Sequence, residues 1–399
     1  MRLWIYIVRR LLLVVPVIIG VMTITFLLVS SLPVSERLEA ALGTNPKVPY
    51  TPQVPCSKLG INQPGECRNP FYYNGLAKLG LNQAPPVQWA IYMANSLTGH
   101  WGYVGNGSGL SGQIPIARGQ PVITVLGWFL PYTLELAAFA LAIIMAVSIP
   151  LGNLSAVYRN RPIDQASRVV SFSGFALPPF LLGSFVLFAV VLLVGGHSGI
   201  SPTCSKVESY FDFYGSWPQI QCFQGGLYPV WLKSGQISSP TGFPTVDAAI
   251  HGQWFLSLDT IIRMVLPALV IAYGTIAVLL RFVRNSMLEV LNLDFVRTAR
   301  AKGVPERTVV KRHAGRNSLN VTITVVGLTF ASFIGGFAVI ETVFGLNGVG
   351  RLFAYAVTLT PVDFGVVFGS TILFTIIVVT ANLIVDVLYA VLDPRVRLG

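Results

Sequence analysis

The sequence predicts an all-α polytopic membrane protein with about six transmembrane helices and two long extracytoplasmic loops. Three observations predict this fold class. The 399 residues are 53% hydrophobic and only 11% charged, a balance typical of polytopic membrane proteins and not of soluble domains. Six apolar segments are each long enough to cross a bilayer. The basic residues are spaced so that they would all lie on one side of that bilayer.

The first predicted span, residues 11–32, follows Arg9 and Arg10 and so has the charge pattern of a signal peptide. Its apolar run is too long for a signal peptide and no small-x-small cleavage site follows it, so we interpret it as a retained anchor. The other spans are predicted at 131–151, 169–195, 262–282, 321–344 and 364–392.

The spans divide the chain into five regions. Two of them, residues 33–130 and 196–261, are predicted extracytoplasmic loops rich in glycine, proline and aromatic residues, which favours ordered insertions over linkers. The other three regions hold the spans. They are residues 1–32 with a cytoplasmic N-terminus and the first span, 131–195 with spans two and three, and 262–399 with spans four to six and a cytoplasmic loop at 294–319.

The positions of lysine and arginine predict the orientation of a multi-pass protein in the cell membrane. If both termini are cytoplasmic, the basic residues near the termini and in the short loops all lie on the cytoplasmic side. These residues are Arg2, Arg9, Arg10, Arg159, Arg161, Arg168, the cluster at 294–319, Arg395 and Arg397. The net charge of +11 therefore indicates membrane topology within a lipid bilayer, and its placement argues against nucleic-acid binding.

Residues 294–319, which we call the basic loop, are predicted to form two short helices at 295–302 and 305–316. Gly303 suits a left-handed helix end, and Pro305 suits the first turn of the next helix. The small residues Ala299, Ala301 and Gly303 would let a partner approach the backbone closely. The alternative is that the cations of this loop only hold it on the cytoplasmic side.

The four cysteines all fall in the two predicted outer loops, Cys56 and Cys67 in the first and Cys204 and Cys222 in the second. An oxidising outer face favours disulfides, and of the three possible connectivities we prefer the two local pairs. Free thiols and a metal site remain alternatives, the metal site being disfavoured because no C-x-x-C spacing is present.

Sequence signatures of catalysis are missing. The chain has no G-x-x-x-x-G-K-[ST] loop for nucleotide phosphates, and its histidines, His100, His197, His251 and His313, are scattered without an i, i+4 pair. We therefore predict no enzyme activity, no metal and no cofactor bound by this chain itself. If the protein moves a solute, the energy must come from elsewhere.

The segment VRTARAKGVPERTVVKRHAGRNSL resembles the cytoplasmic EAA loop of inner-membrane permeases of binding-protein-dependent ABC importers, in the dipeptide, oligopeptide and nickel branch. The N-terminal segment IVRRLLLVVPVIIGVMTITFLL and further blocks at 130–165, 174–189, 341–352 and 382–397 resemble the same branch in order and spacing. The resemblance covers nearly all the membrane-embedded chain and implies the type I permease fold of ABC importers.

The resemblance also implies partners. They are a sister permease subunit, two ATP-binding subunits that carry the ATP and magnesium, and an extracytoplasmic solute-binding protein. The basic loop would form coupling helices that dock on an ATP-binding subunit. The residues implied in docking are Arg297, Thr298, Ala299, Arg300, Ala301, Lys302, Gly303, Glu306, Arg307, His313, Arg316 and Asn317.

Several positions depart from the branch pattern, mostly at turns. Gly315 and Val321 replace an expected leucine and proline, Asn347 stands where a Pro-Gly pair is common, and Gly365 stands where proline is common. The Gly-Asp-Pro signature expected after the first span is missing, since Val34 follows the proline there. These departures weaken assignment to a substrate subgroup.

Polar residues within predicted spans are the remaining functional candidates. Asn382, Asp386 and Tyr389 share one face of the last span, and a carboxylate at membrane depth needs a partner or a water-filled cavity. Glu135 lies in the second span and Glu341 at the outer end of the fifth. Each is either a pathway or gate residue or a structural hydrogen-bonding group, and for Asp386 we favour the structural role.

The predicted function is half of the translocation pathway of an ABC importer, with di- or oligopeptides as the expected solute. Permeases for oligosaccharides or nickel complexes in the same family are the first alternative. A self-sufficient carrier or channel is an alternative of another class, and its expected marks are inverted repeats or a chain of intramembrane acids. A membrane-embedded enzyme has the weakest support, because no nucleophile-base set is present.

Overall fold

The computed structural model describes residues 3–43, 76–77, 79–193, 241–250, 252, 254–315, 318 and 336–392. Over these ranges the chain is nearly all helical, and its only β-pairing is an isolated bridge between Tyr103 and Pro121. Four described helices are long and apolar enough to cross a membrane, and two bent helix pairs raise the number of candidate spans to six. The predicted fold class is confirmed, whereas most of the two long predicted loops lies outside the described residues.

The described helices follow one another with short connections where the chain is continuous. In chain order they are α1 Leu3–Ser30, α2 Val34–Leu42, α3 Pro85–Leu97, α4 Gly109–Gln113, α5 Val122–Val157, α6 Pro162–Ala176, α7 Pro179–Leu193, α8 Pro244–Ile250, α9 Trp254–Leu291, α10 Asp294–Ala301, α11 with an α-helical turn Glu306–Thr308 and a π-helix Val309–Ala314, α12 Gly336–Phe344, α13 Val349–Thr358 and α14 Phe364–Leu392. A 3-10 turn at Pro115–Ala117 lies between α4 and α5.

Two spans are longer than the sequence predicts. The second was expected at 131–151 and the fourth at 262–282, but α5 has 36 residues and α9 has 38. A hydrocarbon core about 30 Å thick needs only about 20 helical residues. The apolar windows of the sequence therefore marked the middle of each helix, and both helices extend beyond them at each end.

The third span is bent, which contradicts the continuous span predicted at 169–195. Residues Pro162–Gly174 and Pro179–Val190 form two helical arms at 103° to one another. Leu177 between them is extended, with φ −111° and ψ 120°. A residue before proline is pushed out of the helical region, so Pro178 explains the break. The fifth span, predicted at 321–344, also continues past a bend into α13, and its residues 321–335 lie outside the described part of the chain.

The chain divides into two compact units, each described by itself. Unit 1 comprises Met1–Leu13, Leu130–Arg351 and Ile377–Gly399. Its core is formed by apolar side chains of α5, α9 and α12, among them Leu136, Met264, Leu279, Ile340 and Phe344. Unit 2 comprises Val14–Phe129 and Leu352–Ile376.

Glycines allow the helices of unit 1 to approach closely. A Cβ built on Gly152 of α5 would lie 2.7 Å from Cγ1 of Val283 on α9, and one on Gly174 of α6 would collide with the side chain of Ala277, also on α9. Such distances leave no room for a methyl group. The close packing of α5 and α6 on α9 therefore depends on these two glycines.

In unit 2, Asp363 fixes the start of α14. Its buried carboxylate accepts hydrogen bonds from the backbone N–H of Gly105, at 2.9 Å, and of Val366, at 3.1 Å. The bond to Val366 satisfies one of the free N–H groups at the beginning of α14. One carboxylate thus holds the segment before α4 against the first turn of α14.

We predict that Gly152→Ala destabilises the protein by about 1–3 kcal/mol, because the added methyl group overpacks the α5–α9 contact. The control is Gly127→Ala on the same helix, where nothing lies within 4 Å of the added Cβ. There the loss of chain entropy in the unfolded state should leave stability equal or raised by about 0.5–1 kcal/mol. Thermal unfolding of both purified variants measures this difference, and equal melting temperatures would contradict the packing argument.

Candidate functional site

The basic loop begins with α10, which carries Asp294 in its first turn, where a negative charge complements the helix dipole. The helix ends at Ala301 with Lys302 as its C-cap, and Gly303 follows with a φ of +74°. The predicted bounds of the first helix, 295–302, agree with the structure to within one residue, and Gly303 has the predicted left-handed conformation.

The second helix of the basic loop was predicted at 305–316. In the structure α11 begins at Glu306, directly after Pro305, and becomes a π-helix over Val309–Ala314. Arg316 and Asn317 lie outside the described residues. The hydroxyl of Ser286 on α9 donates to the carbonyl oxygen of Ser318 at 3.3 Å, which ties the end of the loop to α9.

One face of the basic loop is apolar and buried within unit 1. Val296 and Ala299 of α10 and Val309 and Ala314 of α11 pack with side chains of α5 and α9, namely Ala156, Met287 and Val290. Ala299 is only 8% exposed. Its side chain packs the loop onto its own support, and the docking role predicted for Ala299 stays a prediction.

The opposite face of the basic loop is exposed and mostly basic. The exposed residues among those implied in docking are Arg297, Thr298, Arg300, Ala301, Lys302, Gly303, Glu306 and Arg307, and His313 is half-buried. Arg300 donates to both carboxylate oxygens of Glu306, at 3.0 and 2.6 Å, and these bonds lower the pKa of Glu306. This pair joins α10 to α11 across the turn at Gly303, and the two helices together form one basic projection.

A buried carboxylate, which our sequence analysis missed, lies where α5, α6 and α9 meet. Asp164, in the first turn of α6, is fully buried and accepts hydrogen bonds from Arg284 at 2.6 and 3.1 Å and from Arg168 at 2.8 Å. It also accepts from the hydroxyl of Ser155 at 2.7 Å and the backbone N–H of Asn160 at 2.9 Å. The sequence does contain a signal that could have identified Asp164. It is an acidic residue two positions after a proline that can start a helix, in a short segment that is rich in arginine.

The polar candidates of the last span are only partly described. Asp386 of α14 forms an ion pair with Arg10 of α1 at 2.9 Å, and both side chains are partly exposed. Asn382 is exposed, and the side chain of Tyr389 lies outside the described part. The contact with Arg10 gives Asp386 the partner that a carboxylate at this depth needs. The pathway role of this face stays a prediction.

Glu341 of α12 lies fully buried at the bend between α12 and α13. One of its oxygens accepts from the hydroxyl of Thr133 at 2.7 Å, and the other accepts from the backbone N–H of Arg351 at 3.0 Å. The same Thr133 oxygen accepts from the N–H of Val349 at 2.8 Å. Glu341 and Thr133 thus supply the hydrogen bonds that the first turn of α13 lacks.

Glu135 of α5 is also buried, and one of its oxygens accepts from the backbone N–H of Thr245 at 3.0 Å. The hydroxyl of Thr245 also lies near this carboxylate. Glu135 therefore anchors α8 to α5, and its gate role remains a prediction. Cys56, Cys67, Cys204 and Cys222 all lie outside the described residues, so the disulfide pairing also remains a prediction.

Residues 148–398 match the family model described as the binding-protein-dependent transport system inner membrane component. This range contains the Asp164 cluster, the basic loop and the bend at Glu341. The chain belongs to this family. It is a multi-pass membrane permease subunit, a transport protein, as its helices and its basic loop indicated.

Several relatives extend the similarity to nearly the whole chain. The probable D,D-dipeptide transport system permease protein of Escherichia coli strain K12 is 33% identical over 323 residues, which are 81% of this chain and 83% of that protein. The dipeptide transport system permease protein of the same strain is 31% identical over 400 residues, 98% of each chain. The oligopeptide transport system permease protein of Bacillus subtilis strain 168 is 29% identical over 392 residues, 98% of this chain and 99% of that one.

We predict that Asp164→Asn destabilises this permease by about 3–5 kcal/mol, because it removes one partner of a buried ion pair and leaves Arg284 without a counter-charge. Asp294→Asn is the matched control, since the side chain of Asp294 is 97% exposed and its removal should change stability by less than about 1 kcal/mol. Thermal unfolding in detergent checks both values. A similar small effect at the two positions would show that the buried cluster is dispensable.

Proposed function

We propose that this permease is one of two membrane subunits of an ABC importer for di- or oligopeptides, forming half of the translocation pathway. The observation that carries the proposal is the basic projection built on α9, in a chain whose relatives are named as dipeptide and oligopeptide permeases. A pathway between helices is consistent with a short peptide as the solute. It is equally consistent with the alternative solutes, an oligosaccharide or a nickel complex.

In the proposed mechanism, ATP-binding subunits contact the exposed basic face and move it as a body. The buried face, with Val296 and Ala299, packs against Met287 of α9, so a displacement of the loop acts on that helix directly. Rigid helices transmit such displacements because packed cores do not deform continuously. Since α9 is one continuous helix from Trp254 to Leu291, the displacement reaches the spanning part of the chain.

The proposed assembly has a sister permease, two ATP-binding subunits that hold ATP and magnesium, and an extracytoplasmic solute-binding protein. Both termini and the basic loop face the cytoplasm in this arrangement. The support is the clustering of lysine and arginine at one set of helix ends, which is the usual determinant of orientation. A self-sufficient carrier would need none of these subunits.

Affinity purification of this chain from native membranes tests the assembly. We expect ATPases with a phosphate-binding loop and a second six-span permease to come along with it, and uptake of a radiolabelled dipeptide by reconstituted vesicles to require ATP. Recovery of the chain alone, with uptake that persists in vesicles free of ATP, would overturn the proposal in favour of a carrier.

We also predict that Gly303→Val in the complex lowers ATP-driven dipeptide uptake about tenfold, because a β-branched residue at positive φ costs about 1–2 kcal/mol and distorts the turn between α10 and α11. Gly303→Asn should keep most of the uptake, since asparagine tolerates this conformation. Uptake and the amount of variant in the membrane are measured together.

The matched control for the turn is Gly252→Val. Gly252 has a φ of +72° and, like Gly303, has nothing within 4 Å of its missing Cβ, but it lies before α9 and outside the basic loop. Equal loss of uptake in both valine variants would show a general effect of strain. Normal uptake with Gly303→Val would count against a coupling role for this turn.

A further inference from the structure

Unit 2 contains a cavity of about 410 Å³. Its walls come from the end of α1, from α2, from α3, from the segment before α5 and from the start of α14. The apolar part of the lining includes Phe26, Val29, Ile91, Trp101, Phe368 and Ile372. This volume lies within the range of ligand pockets, about 300–1,000 Å³.

The contacts of α3 place this cavity at membrane depth. The indole N–H of Trp89 donates to the hydroxyl of Thr23 on α1 at 3.1 Å, and Met93 packs with Met22 of α1 and Ile372 of α14. Thr23 precedes the end of α1 at Ser30 by seven residues, which is about 10 Å along the helix. Since half of the hydrocarbon core is about 15 Å thick, α3 lies within the leaflet at which α1 ends.

One helical turn of α1 carries both a wall of the cavity and an exposed apolar surface. Phe26 of α1 points into the protein and is 7% exposed, whereas the next two residues, Leu27 and Leu28, are 59% and 61% exposed. Leucines exposed on a spanning helix suit contact with lipid tails. A lipid on this surface would lie next to the cavity wall.

One hydrogen-bond donor that lines the cavity lacks an acceptor. Arg37, one turn into α2, donates from Nη2 to the side-chain oxygen of Gln88 at 2.8 Å, but its buried Nε has no partner among the described residues. Tyr92 also lines the cavity, with its hydroxyl near the side chain of Ser96 and its ring beside that of Phe26, with centroids 5.7 Å apart. Burial lowers the pKa of Arg37 from its usual value, as expected for a partly desolvated cation.

Gln88 holds the guanidinium of Arg37 in place. Its own amide nitrogen donates to the carbonyl oxygens of Gln83, at 2.8 Å, and Leu81, at 3.2 Å, so its side-chain oxygen is directed at Arg37. A fixed arginine with a free N–H, in a cavity that a tyrosine hydroxyl also lines, suits an anionic oxygen ligand such as a phosphate.

We propose that this cavity binds a membrane phospholipid, with one acyl chain among the apolar side chains and a phosphate oxygen accepting hydrogen bonds from Arg37 and Tyr92. Three features combine to favour a lipid over a soluble ligand: the depth of α3, the exposed leucines beside the wall, and the free N–H of Arg37 in α2, the helix that follows the span.

The test uses the complete importer, purified and reconstituted in vesicles that contain phosphatidylglycerol with a diazirine on one acyl chain. After irradiation, mass spectrometry of the digested protein locates the label. We expect label on the segments that line the cavity, at the end of α1, on α3 and at the start of α14. Absence of label from these segments would overturn the proposal.

Variants test the phosphate contacts. Arg37→Met should lower labelling of the cavity about tenfold and Tyr92→Phe about fivefold, as expected for a charged and a neutral hydrogen bond. The control is Arg118→Met, which removes an exposed arginine of the same unit that does not line the cavity. Undiminished labelling of Arg37→Met, with Arg118→Met unchanged, would overturn the headgroup contact.

Three measurements on the unaltered importer distinguish the ligand classes and do not depend on the folding of any variant. A diazirine diacylglycerol, which lacks the phosphate, should label the cavity about tenfold less than phosphatidylglycerol does. Millimolar glycerol phosphate should leave the labelling unchanged, and so should an excess of an apolar dipeptide. Displacement of the label by glycerol phosphate would indicate a site for soluble anions. Displacement by the dipeptide would indicate a site for the transported solute. Either result would overturn the lipid assignment.

Discussion

The hydrocarbon of a bilayer offers no hydrogen-bond partners to backbone groups. This constraint explains why the spans of this permease are helical, and why polar side chains satisfy the backbone groups where a span bends. Where a span bends, the N–H groups of the next helical turn lose their intrahelical partners. At the bend after α12, the side chains of Glu341 and Thr133 replace those partners for Arg351 and Val349. The bend is therefore tolerated because two polar side chains from different helices accept the hydrogen bonds of these backbone N–H groups.

The same constraint accounts for the buried carboxylates that the structure describes. Asp363 accepts from the backbone of Gly105 and Val366, Asp164 from the backbone of Asn160, and Glu135 from that of Thr245. Burying a carboxylate is expensive unless it is hydrogen-bonded. Each of these acids meets that cost by fixing a turn or a helix end, so their burial alone is no sign of proton or ion transport. This pattern gives a carrier driven by intramembrane acids little support.

The sequence predicted the features that depend on local chemistry. The lengths of the apolar runs located the spans, and Gly303 with Pro305 located the turn between α10 and α11, because left-handed geometry and proline geometry are local requirements. It missed features that depend on distant residues. Asp164 and Arg284 are 120 positions apart, and Ala299 is buried only because α9 and α11 pack over it. The bend at Pro178 was missed because it lies inside an uninterrupted apolar run, where hydropathy alone shows no boundary.

The residues around α9 connect the basic loop to the membrane part of the permease. Arg284 of α9 pairs with Asp164 of α6, and two residues further on Ser286 bonds the end of the basic loop. Met287, on the next position, lies in the core beneath α10. Within one helical turn, α9 thus holds both a neighbouring helix and the loop, with no flexible segment between them. A displacement of the basic loop would move α6 and α9 together, because separating them would break the two hydrogen bonds by which Arg284 neutralises the buried Asp164.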